Sequence, residues 1–443
     1  MTDQTSQHKP EAVSAWRAHP LIRVRLAVSF VDRFLNFMLT PLMAILLATS
    51  YGTATAGLML LVVVAATIVC TFVGGHVSDA RGRRPTLLLA EGGVVVAYAG
   101  MFLANSPWWH SPALTFGCFL LNSCMGGLGF PASDAVLTDI ATPGTRAALY
   151  TVNYWLMNAA FALGAAVGGF FYGAHFDTLL LVGLLLSAAV WTVTFTKLSE
   201  TRPAGTPPSA AAGKGIGKAV RGYARAATDR VFLRLVLAAI LITSVGQQLT
   251  YYLGIRLAAD FEPQTLLHLD SWRVRLDGVG MLGLLRALNT VLVVALALVI
   301  GRLLRRLPET ARMYTGIAMY ITGFMGLAVT GDAWCLIALS VVYTVGELMH
   351  VPVRQALMAD LVDPDHRSKY MALYGLRTRA AGLAASLSVI IGSVVPPVGM
   401  ALLFGVFGIA SALLLRVPVR VREERRSAAA AAPIKPTSST RPN

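Results

Sequence analysis

Twelve apolar runs, each about 20 residues or slightly longer, restrict this chain more than anything else in it, because a run of that length crosses the hydrocarbon core of a bilayer as a helix. They fall at roughly 22–48, 54–77, 86–105, 112–140, 146–172 and 178–197, and again at roughly 231–257, 277–300, 313–330, 333–360, 368–393 and 397–416. The prediction is an all-α polytopic membrane protein. Composition agrees: of 443 residues 56% are hydrophobic and 13% charged, against about 25% charged in an ordinary soluble domain.

The runs divide six and six around a stretch rich in Pro, Gly, Ala and Lys. This gives a polar N-terminal segment (1–20), a six-helix bundle (21–200), a linker (201–230), a second six-helix bundle (231–417) and a disordered tail (418–443). Within the linker, Lys218 to Arg230 reads as an amphipathic helix lying on the membrane surface. The N-terminal segment lacks the short apolar core and small-residue cleavage site of a secretory signal, so no removal is expected.

The net charge of +15 is confined to short segments between spans. Such charge sets topology and does not build a nucleic-acid surface. Arg81, Arg83, Arg84, Arg146, Arg302, Arg305, Arg306, Arg312, Arg367, Lys369 and the Arg420 to Arg426 cluster all fall on one side, predicted to be cytoplasmic together with both termini. The opposite loops, such as Trp108-Trp109-His110 and Gly331-Asp332-Ala333-Trp334, are short and Trp-bearing. The exception is 258–277, a loop carrying both signs and long enough to cover the outer mouth.

Pro131, Ala135, Asp139, Pro143 and Arg146 recur at a constant offset as Pro352, Ala356, Asp360, Pro364 and Arg367. Matching ends of the fourth and tenth spans are what two parallel six-helix repeats require. The loop after span two reads Gly75-His76-Val77-Ser78-Asp79-Ala80-Arg81-Gly82-Arg83-Arg84-Pro85. Its Gly75, Asp79, Gly82, Arg83 and Arg84 spacing resembles the loop between helices two and three of the major facilitator superfamily, although Ala80 stands where that family usually has Arg. The resemblance implies twelve transmembrane helices in two pseudo-symmetric bundles and a conformational latch formed by these five residues.

Ionisable side chains at membrane depth cost around 2.5–3.5 kcal/mol on insertion scales, which makes each a functional candidate. Asp32 and Arg33 lie in span one, Glu91 in span three, Asp134 and Asp139 late in span four, Arg286 in span eight, Glu347 in span ten, and Arg377 and Arg379 in span eleven. Adjacent Asp32 and Arg33 either neutralise each other or neighbouring helices or, pointing about 100° apart on a helix, serve different partners. Glu91, beside Gly92-Gly93, reads as a structural residue packed against a partner on the cytoplasmic side. Glu347 is the sharpest candidate: burial disfavours a charged carboxylate, so it can exchange a proton there, unless Arg377 or Arg286 holds it in a permanent bridge.

Tyr343-Thr344-Val345-Gly346-Glu347 followed by Pro352, and Asp139 followed by Arg146 and Tyr154-Trp155-Leu156-Met157-Asn158, resemble LmrP-type multidrug and proton antiporters. That likeness implies proton coupling through Glu347 and Asp139, with Asp32 and Asp134 as further candidates. It also implies a bacterial cytoplasmic membrane and export of lipophilic or cationic drugs by alternating access. Departures are visible too. Asn122 stands at the place of the antiporter helix-four Arg, Gly164, Gly168 and Gly169 lack the accompanying proline, and Gln247 to Tyr252 holds no acid. A dication would find fewer countercharges.

The predicted cavity is lined by Arg33, Phe37, Tyr154, Trp155, Asn158, Tyr251, Arg286, Tyr343, Glu347 and Arg377, a lining suited to flat lipophilic molecules. The expected partners are a small lipophilic substrate, protons and membrane lipids, with the chain a monomer. Two alternatives stand: proton-coupled movement of one metabolite such as a sugar, peptide or organic acid, in which the arginines bind an anionic group, and a lipid flippase. The chain carries no H-E-x-x-H, G-x-S-x-G or Walker sequence, and Cys70, Cys118, Cys124 and Cys335 form no C-x-x-C. No enzyme, metal or cofactor is therefore expected.

Overall fold

The computed structural model describes residues 20–140, 146–201, 228–269, 272–303, 307–361, 370 and 373–431. Apolar runs without competing polar groups become helices here: α1 Pro20–Tyr51, α2 Thr53–Arg81, α3 Arg83–Ala104, α4 Pro112–Ile140 and α5 Arg146–Lys197. A two-residue strand pair, β1 Asn105–Ser106 and β2 Trp109–His110, joins α3 to α4. The second half follows with α6 Arg230–Gly246, α7 Tyr252–Asp260, the hairpin β3 Gln264–Leu269 and β4 Trp272–Leu276, α8 Gly278–Leu303, α9 Glu309–Val329, α10 Ala333–Leu361, α11 Arg377–Gly392 and α12 Pro397–Ala431. Ten described segments are long and apolar enough to cross a membrane, and α9 and α11 fill the other two positions where the sequence predicts spans.

In the first half α1 packs on the early part of α5, while α2 and α3 flank α4. In the second half α9 lies on α10, and α12 bridges α6 and α9. The halves meet along two seams, α2 with α11 and α5 with α8. At the tryptophan-bearing end these seams close backbone to backbone. A Cβ on Gly169 would sit 2.6 Å from the Gly283 Cα, and one on Gly57 would sit 2.9 Å from the Ile390 nitrogen. Gly164 likewise admits α1, since its Cβ would meet the Phe34 carbonyl oxygen at 2.6 Å. These are the small-residue contacts that let helices approach in lipid. Phe72, Val69, Val406 and Ile409 stay exposed on the outer faces, as a lipid-facing surface requires.

Four expectations change. Spans five and six are two helices that meet inside α5 with no loop between them, the turn being made at His175 alone, whose φ of −142° and ψ of 39° are not helical. Span seven is interrupted: a 3-10 turn at Gln247–Leu249 separates α6 from α7, because Gln248 is buried and spends its amide on the Ser244 carbonyl and the Ser388 hydroxyl, both at 3.1 Å. The 258–277 loop is largely α7 and a β-hairpin, pinned to the next loop by Gln264, which donates to the Gly331 carbonyl at 2.7 Å and accepts from the Ala333 N–H at 3.0 Å. Finally, α12 continues to Ala431, well past 417, since Arg422 and Arg426 find partners in Glu309 and Asp360. The linker from 202 to 227 and the chain after 431 lie outside the described residues.

Candidate functional site

The residues singled out from sequence separate into three places. The first is a central cavity of about 400 Å³ between α5 and the second half, and it contains Glu347, Tyr343, Arg286 and Arg377. It sits where span seven breaks, with Gln247 and Thr250 in its wall. Irregular backbone at membrane depth is tolerated only where it is covered by protein or faces a cavity. Phe161, Tyr320, Phe324 and Met157 supply apolar surface.

Glu347 is held by a neutral group. Its Oε2 accepts from Asn289 Nδ2 at 3.0 Å, and the same amide donates to Thr344 Oγ1 at 3.0 Å. Neither Arg286 nor Arg377 bridges it. Arg286 donates to Thr250 Oγ1 and places its guanidinium 5.5 Å from the Phe161 ring centre. Arg377 donates to the Tyr374 carbonyl at 3.0 Å and stacks 4.3 Å over the Tyr374 ring. The charged neighbour of Glu347 is Arg354, two turns further along α10, acting at a distance. Arg354 is itself buried, with Nε and Nη1 unpaired, and Arg286 Nε is unpaired as well. The cavity thus sets three guanidiniums against one carboxylate. Asn289, His350 and Arg354 were not anticipated. A polar residue in the middle of an apolar run was the available signal for Asn289.

The second place is a smaller cavity of about 150 Å³ enclosed by α1, α3 and α4. Asp32, Arg33, Glu91, Asn122 and Asp134 line it. Arg25 stands at its edge, with Nη1 3.5 Å from Glu91 Oε1 and Nη2 donating to Ser133 Oγ at 2.7 Å. Glu91 is thus paired with Arg25, a partner the sequence did not single out.

The third place is the arginine-rich end. Arg83 joins Asp79 at 2.8 Å and Asp139 at 3.6 Å, which gathers the loop after α2 against the end of α4. Gly82 has a φ of 105°, and the space a Cβ would need there holds the Glu200 carboxylate. That carboxylate accepts from the Arg83 and Arg84 backbone N–H groups at 3.0 and 3.1 Å, a charge-assisted cap on the positive end of α3. A Cβ on Gly75 would meet Pro131 at 3.9 Å, an ordinary contact, so packing does not demand glycine there. Asp139 lies in this cluster and lines neither cavity. In the other half its repeat mate Asp360 meets Arg422 at 2.6 Å and Arg426 at 3.1 Å, so the carboxylate is repeated while its partners come from a different helix.

The remaining predicted lining residues lie elsewhere. Arg33 lines the smaller cavity, Phe37 packs edge-on against Phe161 at 4.9 Å, and Tyr251 is buried in the core. Trp155 is 47% exposed and Asn158 lies outside the lining of the central cavity, while the Tyr154 side chain is outside the described residues.

The chain matches the family description Major Facilitator Superfamily over residues 26–386 and 279–442. It is 27% identical over 374 residues to a Na(+), Li(+), K(+)/H(+) antiporter of Planococcus maritimus, covering 83% of this chain and 88% of that protein. It is 23% identical over 309 residues to the multidrug resistance protein MdtH of Proteus mirabilis, covering 67% and 68%. Among solved structures, a variant of the peptide transporter POT in complex with alafosfalin aligns with a TM-score of 0.67 at 16% identity, covering 95% of this chain and 99% of that one. A variant of the nucleoside transporter NupG aligns with a TM-score of 0.68 at 15% identity, covering 90% and 99%. Loop spacing, paired six-helix halves and matched family together identify the chain as a multi-pass membrane transporter, not an enzyme, belonging to the major facilitator superfamily.

Proposed function

We propose that this chain is a proton-coupled antiporter in which Glu347 carries the proton and the central cavity carries a lipophilic substrate. The observation that supports it is the Asn289 amide on Glu347. A carboxylate held by a neutral donor gains and loses a proton without stranding a buried guanidinium, whereas breaking a buried ion pair costs several kcal/mol. The antiporter among the relatives and the multidrug protein beside it agree with this class.

With the arginine-rich face in the cytoplasm, the close glycine seams at the opposite end support reading this as an inward-facing state. Protonation of Glu347 from outside accompanies substrate release and return, and deprotonation to the cytosol resets the site. Asp139 and the loop of Gly75, Asp79, Gly82, Arg83 and Arg84 act at the cytoplasmic face, as a latch without contact to substrate. Three arginines against one acid disfavour a cationic substrate, so the lipophilic cargo is neutral or acidic. A second reading, transport of one acidic metabolite, is favoured by the unpaired Arg354 and Arg286 nitrogens in the same wall.

The test is purified protein in liposomes with an imposed pH gradient, offered lipophilic acids, neutral lipophiles, cationic dyes, peptides and organic acids. Uphill movement of lipophilic acids or neutral compounds supports the first reading, and movement of a small hydrophilic acid alone supports the second. A flux indifferent to the pH gradient removes the proton coupling.

A further inference from the structure

We propose that the arginine-rich end of the central cavity is a seat for the ionised head of an amphiphilic organic acid, a carboxylate or sulfonate placed between Arg354 and Arg377. This rests on the central cavity being the substrate site and names the class of substrate it takes. Unspent donors carry the argument first. Arg354 lines the cavity, is 8% exposed, and has no hydrogen-bond partner for Nε or Nη1. A buried guanidinium without acceptors has given up its hydration and gained nothing in return, and an oxyanion beside it supplies what is missing.

Charge points to the same spot. Arg377 lines the cavity as well, and the groups that act on it are Tyr374 and Arg354, an aromatic ring and a like charge, with no carboxylate among them. Its Nη1 is spent on the Tyr374 carbonyl. The acid of the cavity, Glu347, lies two turns back along α10, about 10 Å along the helix axis, and its Oε2 already takes the Asn289 amide. Two guanidiniums that repel each other therefore lack a counterion at their own level. An anion between them meets the free donors of Arg354 and relieves the repulsion together.

The rest of the cavity shows what the head is attached to. Tyr320 of α9 meets His350 at 5.1 Å between ring centres, and Phe324 meets Tyr343 at 4.8 Å, so aromatic surface follows α10 from one turn short of Arg354 back past Glu347. Phe161 and Met157 of α5 face this space from the first half. A small hydrophilic acid would leave that surface uncovered, whereas a lipophilic body covers it while its head sits at the arginine-rich end. The volume of about 400 Å³ is within the range of small-molecule sites.

The experiment is isothermal titration calorimetry on the purified full chain in detergent at neutral pH, with three ligands that share one aromatic body: naphthoate, naphthalenesulfonate and the uncharged naphthamide. At least one of the two anions is expected to bind saturably, one per chain, and roughly tenfold or more tighter than naphthamide, the gain of one charge-assisted contact. Arg354→Gln and Arg377→Gln should each remove most of that advantage and leave naphthamide binding where it was. Losing Arg354 breaks no ion pair among the described residues, so folded protein is expected; should it not fold, Arg377→Gln and the comparison in the unmodified chain decide. Equal affinity for acids and amide in the unmodified chain overturns the seat. So does an advantage that survives both glutamine variants, or no saturable binding by either acid. Glu347→Gln should keep the preference for acids. A preference for acids without proton-driven transport would remove the antiporter reading and leave the seat, and proton-driven movement of neutral lipophiles without that preference would do the reverse.

Discussion

Adding one methyl group at Gly169 should drive this transporter out of the state described here. An alanine Cβ at that position falls 2.6 Å from the Gly283 Cα, 3.0 Å from its nitrogen and 3.0 Å from the Val279 carbonyl oxygen. All three are backbone atoms, so no rotamer change relieves the clash and α5 must part from α8. Overpacking of this kind costs about 1–3 kcal/mol where the surroundings resist. If the strain exists only while the tryptophan-bearing end is closed, the closed-to-open ratio falls by a factor of roughly 5 to 150. The assay is a spin-label distance across that end, with Trp108→Cys in the first half and Val394→Cys in the second, both highly exposed, after replacing the four native cysteines. Gly169→Ala should shift the distribution toward longer separations with the protein still folded. An unchanged distribution in folded protein would refute the reasoning, because it would show that the glycine seam does not hold the closed state.

Three further outcomes follow from the same geometry. Arg25→Met strands Glu91 in the interior and should cost about 3–5 kcal/mol, seen as a lower thermal-unfolding midpoint in detergent, while adding Glu91→Gln should restore most of it. A double variant no more stable than Arg25→Met alone would contradict this. Asp79→Asn should slow transport and leave substrate binding nearly unchanged, since Asp79 is 65% exposed and meets only Arg83 within its own half among the described residues; normal flux under a proton gradient would reduce the loop to a topological role. Cysteines placed singly at Ser106 and Ser209 should be labelled from outside and inside respectively, and the reverse pattern would invert the assigned orientation.

The spans were legible because bilayer thickness converts directly into run length, and the two halves because Pro131 to Arg146 repeats as Pro352 to Arg367. What stayed hidden were the partnerships. Arg422 and Arg426 looked like a solvated tail, yet their carboxylates, Glu309 and Asp360, sit more than sixty residues away in the chain and draw α12 onward as helix. Asp32, Asp134, Asp139 and Glu347 look like one set of membrane acids on the page, and only packing distributes them among two cavities and a loop cluster. The hairpin did carry a signal in the alternation of Trp272-Arg273-Val274-Arg275-Leu276, which matches a half-buried strand. It is short enough to be lost among loop charges. Span seven was read as continuous since nothing local to Gln248 reveals that Ser388 will claim its amide.

The central claim rests on Glu347, and Glu347→Gln tests it most directly. Glutamine keeps the shape and can still accept from Asn289, but it cannot carry a proton. Proton-driven uptake into inverted vesicles, measured across a range of pH alongside thermal stability in detergent, should show a folded and inserted protein that has lost uphill transport, with a flattened pH profile. Unchanged pH-dependent transport by Glu347→Gln would contradict the account, and so would collapse of the protein, which would make Glu347 a structural residue.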